Sequence, residues 1–127
     1  MIQIILVNEE SRASQYGIGT YIKQLCLILS QKQGIHLSVI CCRSTKNDFY
    51  IERKGDIDYY HIPDTIQNND PEIRIKTYYK NIWYLIFPYF SSHSKENIIL
   101  HINYYQHIHL LNTFRAFFSK GRCLSLI

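Results

Sequence analysis

The 127-residue chain lacks several features that would have placed it directly in a functional class. No C-x-x-C pair occurs among its four cysteines, so neither a cysteine zinc site nor a thioredoxin-like site is supported. No G-x-x-x-x-G-K segment occurs, which excludes a P-loop. The longest uncharged apolar run, residues 82–90, is too short to cross a bilayer. Fourteen basic and ten acidic residues give a net charge of only +4, and because the basic residues do not cluster, no nucleic-acid partner is expected.

The N-terminus also lacks a targeting signal. Residues 1–7 have no basic region and no small-residue cleavage site, so they are interpreted as a first strand. Cys26 and Cys123 lie in apolar patterns, and Cys41 and Cys42 are adjacent, so their side chains should point to opposite faces of a strand. Free, buried cysteines in a reducing compartment are therefore expected, and with them a cytoplasmic protein.

The residues that are abundant point to a single globular α/β domain. The apolar fraction of 46% and the length together suffice for one hydrophobic core without disulfides or metal. Isoleucine and tyrosine are common and alanine is nearly absent, which suits sheet cores. A genome rich in A and T explains the eleven tyrosines at least as well as sugar binding does, so they are no functional signal on their own.

The hydrophobic periodicity predicts alternating strands and helices. The predicted strands are residues 2–7, 35–42, 49–52, 57–62, 97–103 and 123–127, and the predicted helices are 17–33, 70–87 and 104–120. Pro88 is expected to end the second helix near Phe87. The order predicts a Rossmann-like, three-layer α/β/α domain with a mostly parallel sheet, plus a short β-hairpin around residues 49–62.

In such a sheet, ligands bind beyond the carboxyl ends of the strands. Three segments lie there in the prediction: residues 8–20, 42–46 and 103–109. The first contains Gly17-Ile18-Gly19-Thr20 at the start of a helix, where free backbone N–H groups favour an anion such as a phosphate. The structural alternative is that these glycines only permit a sharp turn and close helix–sheet packing. A dinucleotide site is not favoured, since a long loop precedes the first glycine and no acidic residue ends the second strand.

Taken in order, these motifs resemble the start of the GT-B glycosyltransferases of family 4. The resemblance rests on the first strand, on Tyr16-Gly17-Ile18-Gly19-Thr20-Tyr21-Ile22-Lys23-Gln24-Leu25, and on Gly34-Ile35-His36-Leu37-Ser38-Val39, where an extra residue interrupts the family's Gly-His. His101-Ile102-Asn103-Tyr104 is similar to the family's His-x-His segment. The resemblance covers nearly the whole chain in order and spacing.

The resemblance implies transfer of a sugar from a nucleotide-sugar donor to a glycan or lipid-linked acceptor, with retention and without metal or other cofactor. It places the donor phosphates at Gly17, Ile18, Gly19 and Thr20. The family's second histidine is Asn103 here, which can position a sugar by hydrogen bonds but cannot shuttle a proton near neutrality. His101 and His107 are the other catalytic candidates. Because His101, His107 and His109 should face different ways, they predict no metal site.

The resemblance also predicts that residues 1–127 are a truncated, acceptor-side domain. The C-terminal nucleotide-sugar domain is absent from the chain, so the chain alone should be inactive and its exposed last strand should favour self-association. Two alternatives stay open: a stand-alone nucleotide- or metabolite-binding module, and a non-catalytic interaction domain. The aromatic segment 76–87 is favoured as a core helix, and its alternative is an acceptor-binding or peripheral membrane contact.

Overall fold

The computed structural model describes residues 1–9, 17–90, 97–118 and 121–125, and within these ranges it is a three-layer α/β/α domain. The strands are β1 (Ile2–Glu9), β2 (Ile35–Ser44), β3 (Tyr50–Lys54), β4 (Ile57–Pro63), β5 (Asn97–Ile102) and β6 (Arg122–Ser125). The helices are α1 (Gly17–Leu29), α2 (Pro71–Phe90) and α3 (Ile108–Phe117), the last preceded by a 3-10 turn at Tyr105–His107. The Rossmann-like prediction is confirmed.

The six strands form one sheet in the order β3-β4-β2-β1-β5-β6. Every neighbouring pair is parallel except β3 and β4, which form the antiparallel hairpin that the sequence predicted. The hairpin is not a separate appendage, because β4 pairs with β2 and so extends the parallel sheet. β1 and β2, at the centre, are buried over most of their length, as strands covered on both faces are.

Alternating side chains of the central strands build two separate cores. On one face, Leu6 and Val39 pack against Ile22 and Cys26 of α1. On the other face, a larger core contains Trp83 of α2 and Phe114 of α3, whose rings lie 5.6 Å apart. As predicted, Cys41 and Cys42 fall on opposite faces, and Cys26, Cys41 and Cys42 are buried and form no disulfide among the described residues; the side chain of Cys123 lies outside the described residues.

The prediction that Pro88 ends α2 near Phe87 is wrong, because the helix continues to Phe90. A proline at this position offers no N–H to the carbonyl of Tyr84, four residues earlier. That residue is 69% exposed, so water can take the missing donor's place. Phe90 is 1% exposed in the α2-side core, and its burial favours one more turn.

Three further boundaries differ from prediction, the first being that α1, expected over residues 17–33, ends at Leu29. Asn8 and Glu9, expected in a loop, are the last residues of β1, and residues 10–16 of that loop lie outside the described residues. The last helix begins at Ile108 rather than at residue 104, after the 3-10 turn. Ile108, the first residue of that helix, is 50% exposed. No helix within the described ranges combines the length and apolar character needed to cross a membrane.

Candidate functional site

The three segments expected to carry function meet at one end of the sheet. β1 lies between β2 and β5, and all three run parallel, so their carboxyl ends form a common edge. Asn8 pairs in register with Cys41 of β2. Leu6 pairs with His101 of β5, which places Asn8 level with Asn103, just beyond that strand. We call this end of the sheet the carboxyl edge.

On the α1 side of the carboxyl edge, the first turn of α1 approaches β5. The hydroxyl of Tyr21 lies 3.5 Å from His101 Nε2, and the two rings are 6.0 Å apart. The α1 N-terminus, Gly17–Thr20, directly precedes Tyr21 in the same helix. Burial lowers the pKa of His101, so that its imidazole is neutral near pH 7. The backbone of Gly17 and Gly19 is helical. The structure does not describe the surroundings of residues 17–19.

Asn8 and Asn103 both leave amide atoms without partners. The Oδ1 atom of Asn8 and both side-chain polar atoms of Asn103 are inaccessible to solvent, and within the described ranges no group hydrogen-bonds to them. Such atoms are rare in folded proteins, because an unmade buried hydrogen bond costs about 1–3 kcal/mol. Two of these amides at the same height on neighbouring strands are therefore a candidate place for polar groups of a ligand.

On the opposite, α2 side of the carboxyl edge, Glu9 is the centre of a buried polar network. Its carboxylate is 4% exposed and accepts a short hydrogen bond from the Tyr79 hydroxyl. His107 Nε2 lies 3.0 Å from the same oxygen, Oε1, and His107 is fully buried. Burial first, and then the charges of Cys42 and Glu9, raise the pKa of Tyr79 well above its usual range, so it stays a hydroxyl donor.

Arg43 connects this network across the edge. Its Nε atom lies 3.9 Å from Glu9 Oε2, and its Nη2 atom donates to Gln106 Oε1 at 2.9 Å. A register shift between Cys42 and Ser44 makes this possible, since Arg43 adopts a left-handed φ of 53° there. Bulges of this kind redirect a side chain at the end of a strand. The Arg43 N–H donates to the Tyr78 hydroxyl (2.6 Å), which in turn donates to the Ile62 carbonyl (2.7 Å).

One group of side chains could in principle hold a metal ion. Glu9, Cys42 and His107, here called the buried trio, place one ligand atom each within 4.8 Å of one another. Glu9 Oε1 already faces Tyr79 and His107, Glu9 Oε2 lies 3.9 Å from the positive charge of Arg43, and burial raises the pKa of the Cys42 thiol well above its usual value. A neutral thiol beside an arginine is a poor cation site, so we interpret the buried trio as part of the hydrogen-bonded network.

The structure thus separates the predicted site residues into two groups. His101, Asn103 and the start of α1 come together on one side of the sheet, whereas His107 lies on the other, inside the network. His109 is half-buried, and its pKa is lowered by burial and by Lys76 and Lys80. Sequence reasoning missed Glu9 and Arg43, although Arg43 directly follows the apolar run of β2 and Glu9 lies two residues beyond the apolar run of β1, which was the available signal.

Comparisons with known proteins support the fold. The apo structure of OtsA, a GT-B glycosyltransferase, is similar to this chain, with a TM-score of 0.54 and 12% sequence identity. The likeness covers 98% of this chain but 33% of OtsA, so the chain spans about a third of the length of that relative. No model of a known protein family matches the chain, and no curated protein matches it. The chain therefore has a glycosyltransferase-like fold, and its assignment to family 4 stays a prediction.

Proposed function

We propose that this chain is the N-terminal, acceptor-side domain of a GT-B glycosyltransferase that moves a sugar from a nucleotide sugar to an acceptor. The observation that carries the proposal is the pair Asn8 and Asn103, whose buried amides lack partners among the described residues, beside the start of α1. A glycosyltransferase-like fold supports it, because ligands of open α/β sheets bind at the carboxyl ends of the strands.

The chemistry available on the α1 side suits a sugar and a diphosphate. Free N–H groups at the start of α1, over Gly17, Ile18, Gly19 and Thr20, would stabilise the negative charge of the donor phosphates without a metal. The Asn103 amide can both donate to and accept from sugar hydroxyl groups. The proposal includes retention of configuration and membership of family 4, and the sequence resemblance is what supports these two features.

His101 and His107 receive different roles in this proposal. His101 lies on the ligand side, and its neutral imidazole can accept a hydrogen bond from a hydroxyl group. His107 is fully buried and bound to Glu9, so it holds the segment after β5 in place and acts as a positioning residue. The free thiols of Cys26, Cys41 and Cys42 fit a cytoplasmic enzyme.

Titration of the isotope-labelled chain with UDP-glucose and with GDP-mannose, followed by amide NMR shifts, tests this proposal. We expect weak binding, with a Kd of about 1 mM, because a single domain supplies only part of a GT-B site. The shifts should map to residues 17–20 and to Asn8 and Asn103. No turnover is expected with UDP-glucose or GDP-mannose and a range of acceptors.

Asn103→Ala is the informative variant, and Asn97→Ala is its matched control. Asn97 is exposed at the opposite end of the same strand. Asn103→Ala should abolish the shifts while leaving stability nearly unchanged, because it removes no hydrogen bond between described residues. Shifts that map to the α2 side, or that survive in Asn103→Ala, contradict the proposed site. Submicromolar nucleotide binding by this chain indicates a stand-alone binding module instead.

A further inference from the structure

A pocket of about 440 Å³ lies where the first turns of α2 meet the segment that follows β5. α2 contributes Glu72, Ile75 and Lys76, and the 3-10 turn and the start of α3 contribute the rest of the lining, including Tyr105 and Ile108. We call it the α2–α3 pocket. Its volume is within the usual range of small-molecule sites. It lies beyond the carboxyl edge, because β4 and β5 end at that edge and lead into α2 and the 3-10 turn.

Tyr105 provides an exposed aromatic surface in the pocket. Its side chain is 62% exposed, yet its ring lies 4.8 Å from the Tyr104 ring and its hydroxyl accepts a hydrogen bond from Gln106 Nε2 at 3.2 Å. Gln106 is itself buried and bound to Arg43. A ring that is already held in place loses little conformational freedom when a ligand packs on it. It therefore suits a flat ligand with an apolar face, such as the C–H face of a pyranose ring.

Two isoleucines make part of the pocket apolar. Ile108 is 50% exposed and Ile75 is half-buried, and both line the pocket. Because this surface is accessible, covering it with a methyl group removes apolar area from water. A simple hexose carries only hydroxyl groups around its rim, whereas an acetamido group ends in a methyl group. The two isoleucines therefore favour an acetamido sugar over a simple hexose.

The polar groups of the pocket favour a neutral ligand that both donates and accepts hydrogen bonds. Glu72 and Lys76 lie one helical turn apart on α2, and within the described ranges neither side chain forms an ion pair. Their charges cancel, and His109 adds none near pH 7, because burial and then Lys76 and Lys80 lower its pKa. Hydroxyl and amide N–H groups can donate to the Glu72 carboxylate, and an amide carbonyl can accept from Lys76.

We propose that the α2–α3 pocket binds one 2-acetamido pyranose unit. Its ring packs on Tyr105 and its acetamido methyl group covers Ile108, while Glu72 and Lys76 bind its hydroxyl and amide groups. The Cα atom of Tyr105 is at most about 7 Å from that of Asn103, two residues earlier, so the bound sugar adjoins the candidate site. That this sugar is the end of the acceptor rests on the proposed function, whereas binding itself does not.

Titration of the isotope-labelled 127-residue chain with the methyl glycoside of N-acetylglucosamine, followed by amide NMR shifts, tests the pocket directly. We expect saturable shifts confined to residues 72–76 and 105–109, with a Kd of about 1 mM, because one monosaccharide buries little area in an open pocket. Methyl glucoside should bind at least about tenfold more weakly, because it lacks the methyl contact and the amide hydrogen bonds.

Variants of Tyr105 test the aromatic surface. Tyr105→Ala should weaken the acetamido glycoside at least about tenfold, because the ring is lost. Tyr105→Phe should retain the affinity within about twofold, because the ring remains and only the hydroxyl group is removed. Tyr84→Ala is the matched control and should have no effect, since Tyr84 is 69% exposed on α2 but lies outside the pocket.

Variants of Ile108 and Glu72 test the recognition of the acetamido group. Ile108→Ala should weaken the acetamido glycoside about threefold or more, because the methyl group loses its contact, and should leave methyl glucoside unchanged. Ile73→Ala is its control, because Ile73 is 49% exposed and outside the pocket. Glu72→Gln should also weaken binding about threefold or more, since a charge-assisted hydrogen bond becomes a neutral one.

The absence of saturable shifts at about ten times the expected Kd overturns the proposal. Equal affinity for methyl glucoside overturns it as well, and so do equal effects of Tyr105→Ala and Tyr84→Ala. UDP-glucose and GDP-mannose carry no acetamido group, so their shifts should stay outside the pocket. Tyr105→Ala should leave the nucleotide-sugar shifts at residues 17–20 intact while it abolishes those of the acetamido glycoside. Failure of the pocket and failure of the transferase proposal therefore give different results.

Discussion

Replacing Glu9 by glutamine tests whether the buried network holds the carboxyl edge together. The substitution keeps the shape of the side chain and an acceptor oxygen for the Tyr79 hydroxyl and for His107. It removes the negative charge opposite Arg43 and places an N–H₂ group near the guanidinium Nε, which lies 3.9 Å from Glu9 Oε2. A donor then faces a donor, and the arginine loses its anionic partner.

The expected cost follows from burial. Removing one partner of a buried ion pair costs about 3–5 kcal/mol. Arg43 is 21% exposed and the amide preserves one acceptor, so the lower end applies, at about 3 kcal/mol. With an unfolding entropy of about 2.1 cal/mol/K per residue, 127 residues give about 0.27 kcal/mol/K, and Tm should fall by about 11 °C.

Thermal and urea unfolding followed by circular dichroism measure this change. Glu52→Gln is the matched control, because Glu52 also accepts from a histidine, at 3.2 Å from His61 Nε2, but its side chain is 38% exposed. Its effect on stability should be small and should diminish with added salt. The double mutant with Tyr79→Phe should be less than additive, since both changes act on one network.

If Glu9→Gln lowers the free energy of unfolding by less than about 1 kcal/mol, the reasoning is refuted, because a loss of that size is expected for an exposed ion pair. Equal losses for Glu9→Gln and Glu52→Gln would refute it too. Full additivity with Tyr79→Phe would show that the hydroxyl and the carboxylate act independently.

Four further predictions concern other parts of the structure. Gly121→Ala should destabilise the chain by about 1–3 kcal/mol, because the added Cβ would lie 2.5 Å from Phe114 Cζ; chemical unfolding measures it, and no loss contradicts the packing. Phe90→Ala should cost about 3–5 kcal/mol in the same assay, whereas a cost near zero means that the last turn of α2 is not anchored. Burial lowers the folded-state pKa of His101, so the unfolded state binds more protons; stability should fall as pH drops through about 6.5, and His101→Gln should flatten that slope. The buried trio should not retain Zn²⁺ through dialysis, as mass spectrometry of the metal content can show, and stoichiometric retention contradicts our interpretation.

The fold was largely accessible from the sequence because its signals are local. Apolar runs such as residues 2–7 and 35–42 are long enough for buried strands, and Gly34, with a φ of 77°, directly precedes β2. Asp70 accepts a hydrogen bond from the Glu72 N–H at 3.0 Å and so caps the start of α2. The errors arose where tertiary packing overrides a local rule, as at Pro88, where burial of Phe90 extends the helix.

The candidate site could be predicted only partly from the sequence. The three segments at the carboxyl edge were identified correctly, because strand order in a parallel sheet dictates which ends meet. The side of the sheet on which each residue lies was not identified correctly. A bulge or a 3-10 turn changes which face of the sheet the following side chains point to. His107 was therefore grouped with His101 and Asn103, although the 3-10 turn carries it to Glu9 on the opposite side.

Sequence by itself determined the secondary structure, the parallel order and the end of the sheet that can bind ligands, since periodicity and turn chemistry are encoded within a few residues. Tertiary structure alone decided which polar groups find partners. Glu9, Tyr79, Arg43 and His107 are far apart in the chain and contact one another only because β1, β2, α2 and the 3-10 turn converge, although Glu9 Oε2, Arg43 Nε and His107 Nδ1 have no hydrogen-bond partner among the described residues. The same convergence leaves the amides of Asn8 and Asn103 without partners among the described residues.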